Sequence, residues 1–178
     1  MNYRVYDTDF CNICICESFG RISHITFGNH PPAQAIRDTA RFSDKETPLI
    51  ERTAIQISQY LLGRRTDFTI PLFTQGTDFQ RKVWITMAQI PFGTTCSYEK
   101  LAKAVGSPNS YRAIHIASKT NPISIIIPTH RVTKRDGELP AHSENDDIKS
   151  IMNTLLTMER RRSVQRNPSQ HYYDRRDR

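Results

Sequence analysis

The 178-residue chain has no apolar run approaching the ~18 residues needed to span a bilayer, so no transmembrane helix is expected. Its N-terminus, Met1-Asn2-Tyr3-Arg4-Val5, lacks the apolar core and small-residue cleavage site of a secretory signal. The expectation is an intracellular protein, nuclear in a eukaryote and cytoplasmic in a prokaryote. There is no internal repeat. Cysteine is sparse, with four residues and none beyond Cys96. Acidic residues fall short of basic ones, 18 against 25. What is present is an ordinary folding composition, 37% hydrophobic and 24% charged, enough for one domain or two small ones.

The net charge of +7 points to a polyanionic partner, but it is unevenly placed. Residues 160–178 hold seven arginines and two aspartates, leaving the preceding part nearly balanced. An Arg-rich tail over 162–178 is therefore expected to be disordered. It could hold nucleic acid through phosphate contacts and counterion release, or simply be solvated.

Three cysteines cluster in Cys11-Asn12-Ile13-Cys14-Ile15-Cys16. Cys11 and Cys14 have the spacing of metal ligands, and His24 and His30 follow at a suitable distance for zinc. The same segment alternates as a buried strand in which cysteine serves as a small hydrophobe. The second reading is preferred, and no cofactor is expected.

Along the chain, residues 11–27 read as a hairpin turning at Glu17-Ser18-Phe19-Gly20. Thr47-Pro48 opens a helix reaching about Leu62, with Ile50, Ala54, Ile57 and Leu61 on one stripe and Gly63 as its stop. Arg64 to Thr74 reads as an exposed, extended connector with few contacts crossing it. Thr77 and Gln80 form a capping box before a helix that buries Phe79, Val83, Met87 and Ile90. Ser97 caps the next helix, Gly106 stops it, and Ser107-Pro108 restarts the chain into a helix over about 109–119. Two short helices joined at a glycine make a helix-turn-helix pattern, whose second helix usually faces DNA. Ile123 to Ile127 reads as a buried strand, residues 133–147 as a polar loop, and Ile148 to about Arg161 as the last helix.

The block from Gly76 to Val132 resembles the O6-alkylguanine-DNA alkyltransferase family. The resemblance rests on Gly76-Thr77-Asp78-Phe79-Gln80 with Val83-Trp84, then Ile90-Pro91-Phe92-Gly93-Thr94-Thr95-Cys96-Ser97-Tyr98. Leu101-Ala102, Gly106-Ser107-Pro108, Arg112-Ala113, Asn121-Pro122 and Pro128-Thr129-His130-Arg131-Val132 follow in the family's order. Leu155-Leu156-Thr157-Met158-Glu159 resembles its ending. The resemblance implies an α/β protein: a small ribonuclease-H-like α/β domain over 1–73 and a winged-helix-like helix-turn-helix domain over 74–161. It also implies a partner, double-stranded DNA carrying alkylated guanine, bound by a monomer that extrudes the damaged base. Such extrusion is required because an atom inside a duplex is out of reach.

By the same resemblance, Arg112 fills the gap left by the extruded base and Tyr98 presses on the rotating phosphate. Asn121 braces the active-site turn, and Arg131 and Ser143 complete the DNA-facing set. His130, held by Glu159, activates the acceptor through a water.

The acceptor itself differs. Thr129 stands where the family keeps its cysteine, and a hydroxyl is a far weaker nucleophile than a thiolate. With that exchange the resemblance points to alkyltransferase-like members of the family, which bind the lesion and hand it to nucleotide-excision repair. His115 and Ile116 stand where the family has small residues. Residues 137–147, with Glu144, Asp146 and Asp147, replace a glycine-rich loop. Two other readings stand beside lesion binding: a decayed member acting as an interaction module, and a methyltransferase with residual activity.

Overall fold

The computed structural model describes residues 1–32, 42–139 and 146–166, without the side chains of Asp146 and Arg166. Ser143, and the tail beyond Arg166, lie outside the described residues.

The N-terminal half is a four-stranded sheet in the order β3-β2-β1-β4, with one helix against it. Strands β2 (Ile13–Ser18) and β3 (Arg21–Phe27) form the expected hairpin. Its turn is tight because Phe19 and Gly20 both take positive φ, 53° and 69°. Cys14 and Cys16 are fully buried on β2, as a small hydrophobe would be. Among the described residues, no three His, Cys, Asp or Glu side chains converge on a common point. Strand β1 (Asn2–Tyr6) pairs antiparallel with β2 and parallel with the short β4 (Ser43–Asp44). Helix α1 (Pro48–Leu61) starts where the Thr47 side chain caps the amide of Ile50. It lays Ile50, Ile57, Tyr60 and Leu61 on the core.

The connector departs from expectation. Rather than hanging free, it covers the outer edge of β3: the amide of Ile22 donates to Pro71 O at 2.9 Å, and that of Phe73 to Ile22 O at 2.8 Å. Gln56 of α1 holds Thr69 through two further hydrogen bonds of 2.9 Å. The reason is the edge itself, since bare strand amides and carbonyls need partners. Lower down, the same edge takes the C-terminal half: Ile25 N donates to Pro122 O, and Ser124 N to Ile25 O, each at 2.9 Å. One hydrophobic core runs through both halves, from Ile13 and Ile57 to Trp84, Leu101 and Ile127.

The C-terminal half is helical. The Thr77–Gln80 capping box opens α2 (Asp78–Ala88), as the sequence indicates. The short strand β5 (Cys96–Ser97) leads into α3 (Tyr98–Val105), capped by Ser97 and ended by Gly106 at φ 78°. Helix α4 (Tyr111–Lys119) follows, and α2, α3 and α4 pack on one another. Trp84 of α2 ties α4 in place by donating from Nε1 to Ala117 O at 2.8 Å.

Residues 124–126 are a turn, not the strand that the apolar run over 123–127 suggested, and Ile123 makes an isolated parallel bridge to Ile25. Ile125 takes φ 71°, unfavourable for a β-branched residue. A buried apolar run cannot by itself distinguish strand from turn. The run leads through a single 3-10 turn (Thr129–Arg131) to β6 (Val132–Thr133), which pairs parallel with β5. The last helix, α5 (Asp146–Arg166), continues past its expected end, so residues 162–166 are helical rather than part of a disordered tail. It is anchored near that end. Gly93, at φ 76°, brings its backbone so close to α5 that an added Cβ would lie 2.6 Å from Ser163 Oγ.

Candidate functional site

Glu159 of α5 is the electrostatic centre of the molecule. It is 0% exposed, and four residues from three parts of the chain bond its carboxylate. Arg131 donates from Nε to Oε2 at 2.9 Å and from Nη2 to Oε1 at 2.7 Å. Gly93 N donates to Oε2 at 2.9 Å, His130 Nε2 lies 2.9 Å from Oε1, and the Tyr60 hydroxyl donates to the same oxygen. Burial alone would raise the Glu159 pKa. The hydrogen bonds and charges of His130 and Arg131 outweigh it and hold the group down at about 2.

That ionised carboxylate fixes the histidine. A carboxylate only accepts, so His130 Nε2 must carry the hydrogen. Burial pushes the His130 pKa below its ordinary value, more than the carboxylate restores it. The ring is therefore neutral near pH 7, with a lone pair left on Nδ1. This is the state a general base requires.

Arg131 corrects an expectation. Placed by the sequence among DNA-contacting residues, it is only 6% exposed and committed to Glu159. Its remaining nitrogen, Nη1, donates to Ile90 O at 2.6 Å, and its guanidinium lies over the Phe92 ring at 5.8 Å. A cation so deeply buried must be paired, and Glu159 is its counter-ion.

Tyr60 was not foreseen. It reaches in from α1, is fully buried, and packs against Phe68 and Phe92 with its hydroxyl on Glu159. Its sequence distance of 99 residues from Glu159 hides the contact, and only its place beside the apolar stripe of α1 hinted at burial.

Thr129 is 4% exposed on the 3-10 turn. Asn121 braces it as expected. The two hydrogens of Asn121 Nδ2 go to Ile127 O and Thr129 Oγ1, both at 2.8 Å, and its Oδ1 accepts from Ile123 N at 3.0 Å. Every polar function of the amide is used. Thr129 and Asn121 line a cleft of about 180 Å³, walled by Phe27 of β3, Lys119 of α4, and Ile148 and Met152 of α5. Cys96 is not among its lining residues, and burial pushes the Cys96 thiol up, away from a thiolate.

On the outer face, Arg112 of α4 is exposed, as a residue meeting DNA must be. Tyr98 is not: it is 1% exposed beneath Tyr111 and His115, with ring centroids 5.3 and 5.5 Å away. As placed, it presents no surface to a phosphate, a second correction among the expected DNA contacts. The physical cause is its position as the first residue of α3, where the ring turns into the packing between α3 and α4.

Known proteins resemble this chain in sequence and fold. Residues 1–74 match the model of the 6-O-methylguanine DNA methyltransferase ribonuclease-like domain, and residues 78–161 that of the same family's DNA-binding domain. The constitutive methylated-DNA–protein-cysteine methyltransferase of Bacillus subtilis is 33% identical over 159 residues, covering 89% of this chain and 94% of that protein. The corresponding protein of Methanosarcina barkeri is 41% identical over 99 residues, 56% of this chain and 63% of its own length. The crystal structure of Mycobacterium tuberculosis OGT in complex with DNA superposes with a TM-score of 0.79 at 26% identity, covering 91% of this chain and 94% of that one. The ribonuclease-like sheet, the helix-turn-helix and a relative matched over nearly its whole length together place this chain in the 6-O-methylguanine-DNA methyltransferase family.

Proposed function

We propose that this protein recognises O6-alkylated guanine in double-stranded DNA and binds the extruded base without accepting its alkyl group. The observation that carries the reading is Thr129. It occupies the acceptor position with its hydroxyl oxygen held by Asn121, beside an otherwise complete His130–Glu159 pair. A neutral imidazole can draw a proton from a thiol near pH 7, but a threonine hydroxyl ionises far less readily. Attack on an alkyl carbon needs the soft, charged sulfur that the hydroxyl cannot supply. The cleft, the exposed Arg112 and the braced turn serve binding equally well without transfer. In this reading Arg112 fills the vacated stack and Ser143 contacts the base. The protein acts as a monomer without a resident cofactor, and the marked lesion passes to nucleotide-excision repair.

The test is a titration of the full-length protein against duplexes with and without O6-methylguanine, followed by intact-protein mass spectrometry. The expected result is tighter binding of the damaged duplex with no change in protein mass. A gain of one methylene unit per chain would instead establish transfer. Equal affinity for both duplexes would favour an interaction module that has lost lesion recognition.

A further inference from the structure

Helix α4 carries a residue that its fold does not explain. Its inward face is defined by Ile114, Ala117 and Ser118, all buried. Ile116 points elsewhere and is 59% exposed. A β-branched side chain gains nothing from helix propensity, and here it gains little from burial. Scattered exposed apolar residues are normal, and Ile55, Leu62 and Ile85 are such cases. Ile116 differs in its company. Arg112 lies one turn before it and Lys119 one turn after, both exposed on the same helical face. Lys119 continues into the wall of the Thr129 cleft. Over residues 98–119 the chain has Lys100, Lys103, Arg112 and Lys119 against Glu99 alone. This helix pair is thus net basic, which suits a polyanion.

We propose that Ile116 is an apolar wedge that enters between adjacent base pairs beside the extruded nucleotide, while the flanking cations seat the strands. DNA-bending proteins use isolated isoleucine, leucine or phenylalanine side chains in this way, partly unstacking a step to admit more protein surface. The proposal rests on the reading of this protein as a duplex binder. It assigns the bulk at position 116 a part in binding. The opposing possibility is that the bulk holds the helix away from the groove.

Ile116→Ala separates the two. Both duplexes, damaged and intact, carry 2-aminopurine at the neighbouring step and are titrated at several salt concentrations. A wedge predicts affinity about tenfold weaker for both duplexes and a smaller 2-aminopurine fluorescence rise. It also predicts an unchanged salt slope, because no phosphate contact is lost. Ile116→Met, which keeps the volume, should remain near wild type in both measurements. Unchanged or tighter binding by Ile116→Ala, or an unchanged fluorescence rise, would overturn the wedge. A matching thermal midpoint confirms that each variant is folded. Lesion preference is read separately, as the ratio of the two affinities of the wild-type protein. If that ratio is one, the lesion-sensor reading fails while the Ile116 effect on intact duplex still decides the wedge.

Discussion

Replacing Glu159 by glutamine keeps the shape of the side chain and removes its charge. The carboxylate accepts from Tyr60, His130, Arg131 and Gly93. In Glu159→Gln one acceptor oxygen becomes an NH₂ pointing at these donors. Tyr60 can turn its hydroxyl and His130 can change tautomer, but Gly93 N and the Arg131 guanidinium cannot become acceptors. Arg131, 6% exposed, keeps a buried charge with no counter-ion. Breaking a buried pair from one side costs about 3–5 kcal/mol. For a chain of this size each kcal/mol lowers the melting midpoint by about 2–4 °C, so a drop of about 6–20 °C is expected. Circular dichroism melts and urea unfolding at pH 7 would measure it. A loss of less than about 1 kcal/mol would refute the argument, showing that the cluster contributes no more than it costs to desolvate.

Acid should destabilise the wild-type protein in two stages of the same sign. His130 has its folded pKa below the ordinary 6.5, so the unfolded chain takes up its proton first and stability starts to fall below about pH 6.5. Glu159, lowered from 4.5 to about 2, contributes about 3 kcal/mol that is present above pH 4.5 and lost as pH falls towards 2. Urea midpoints across this range would show both stages, and Glu159→Gln should lose the lower one. Gly93→Ala puts a methyl group against Ser163 at a φ of 76°, and a loss of about 2 kcal/mol in urea unfolding is expected. Asn121→Ala removes three hydrogen bonds from the Thr129 turn, and faster amide exchange at Ile123 with a loss of about 2–3 kcal/mol should follow. An unchanged Ile123 exchange rate would show that the turn holds without its brace.

The parts legible in the sequence were those with local causes. The Thr77–Gln80 box, the Ser97 cap and the left-handed Gly106 each fix a helix end within four residues, and each was found where the pattern put it. The hairpin was equally readable, because its register depends on alternation and one turn. Strand β1 was not, since Asn2–Tyr6 has little apolar contrast and owes its conformation to lying between β2 and β4. The turn within residues 123–127 reads as a strand in the sequence because burial looks alike in both, and what decides it is Asn121 binding Ile123 and Ile127 from outside the run. Within the site, His130 and Glu159 were visible through family likeness. Tyr60 and the burial of Arg131 depend on chain segments that meet only in three dimensions.

Among the described residues Thr129 has one side-chain hydrogen-bond partner, Asn121, and stands outside the cluster that joins Tyr60, His130, Arg131 and Glu159. The buried charges of this protein are thus balanced around Glu159 and not at position 129. A lineage could exchange the residue at position 129 in a single step and keep a stable molecule. A change at 131 or 159 would instead leave a buried partner uncompensated, at a cost of about 3–5 kcal/mol. An exchange at the acceptor position is thus the change this architecture tolerates most easily, because no buried charge depends on it.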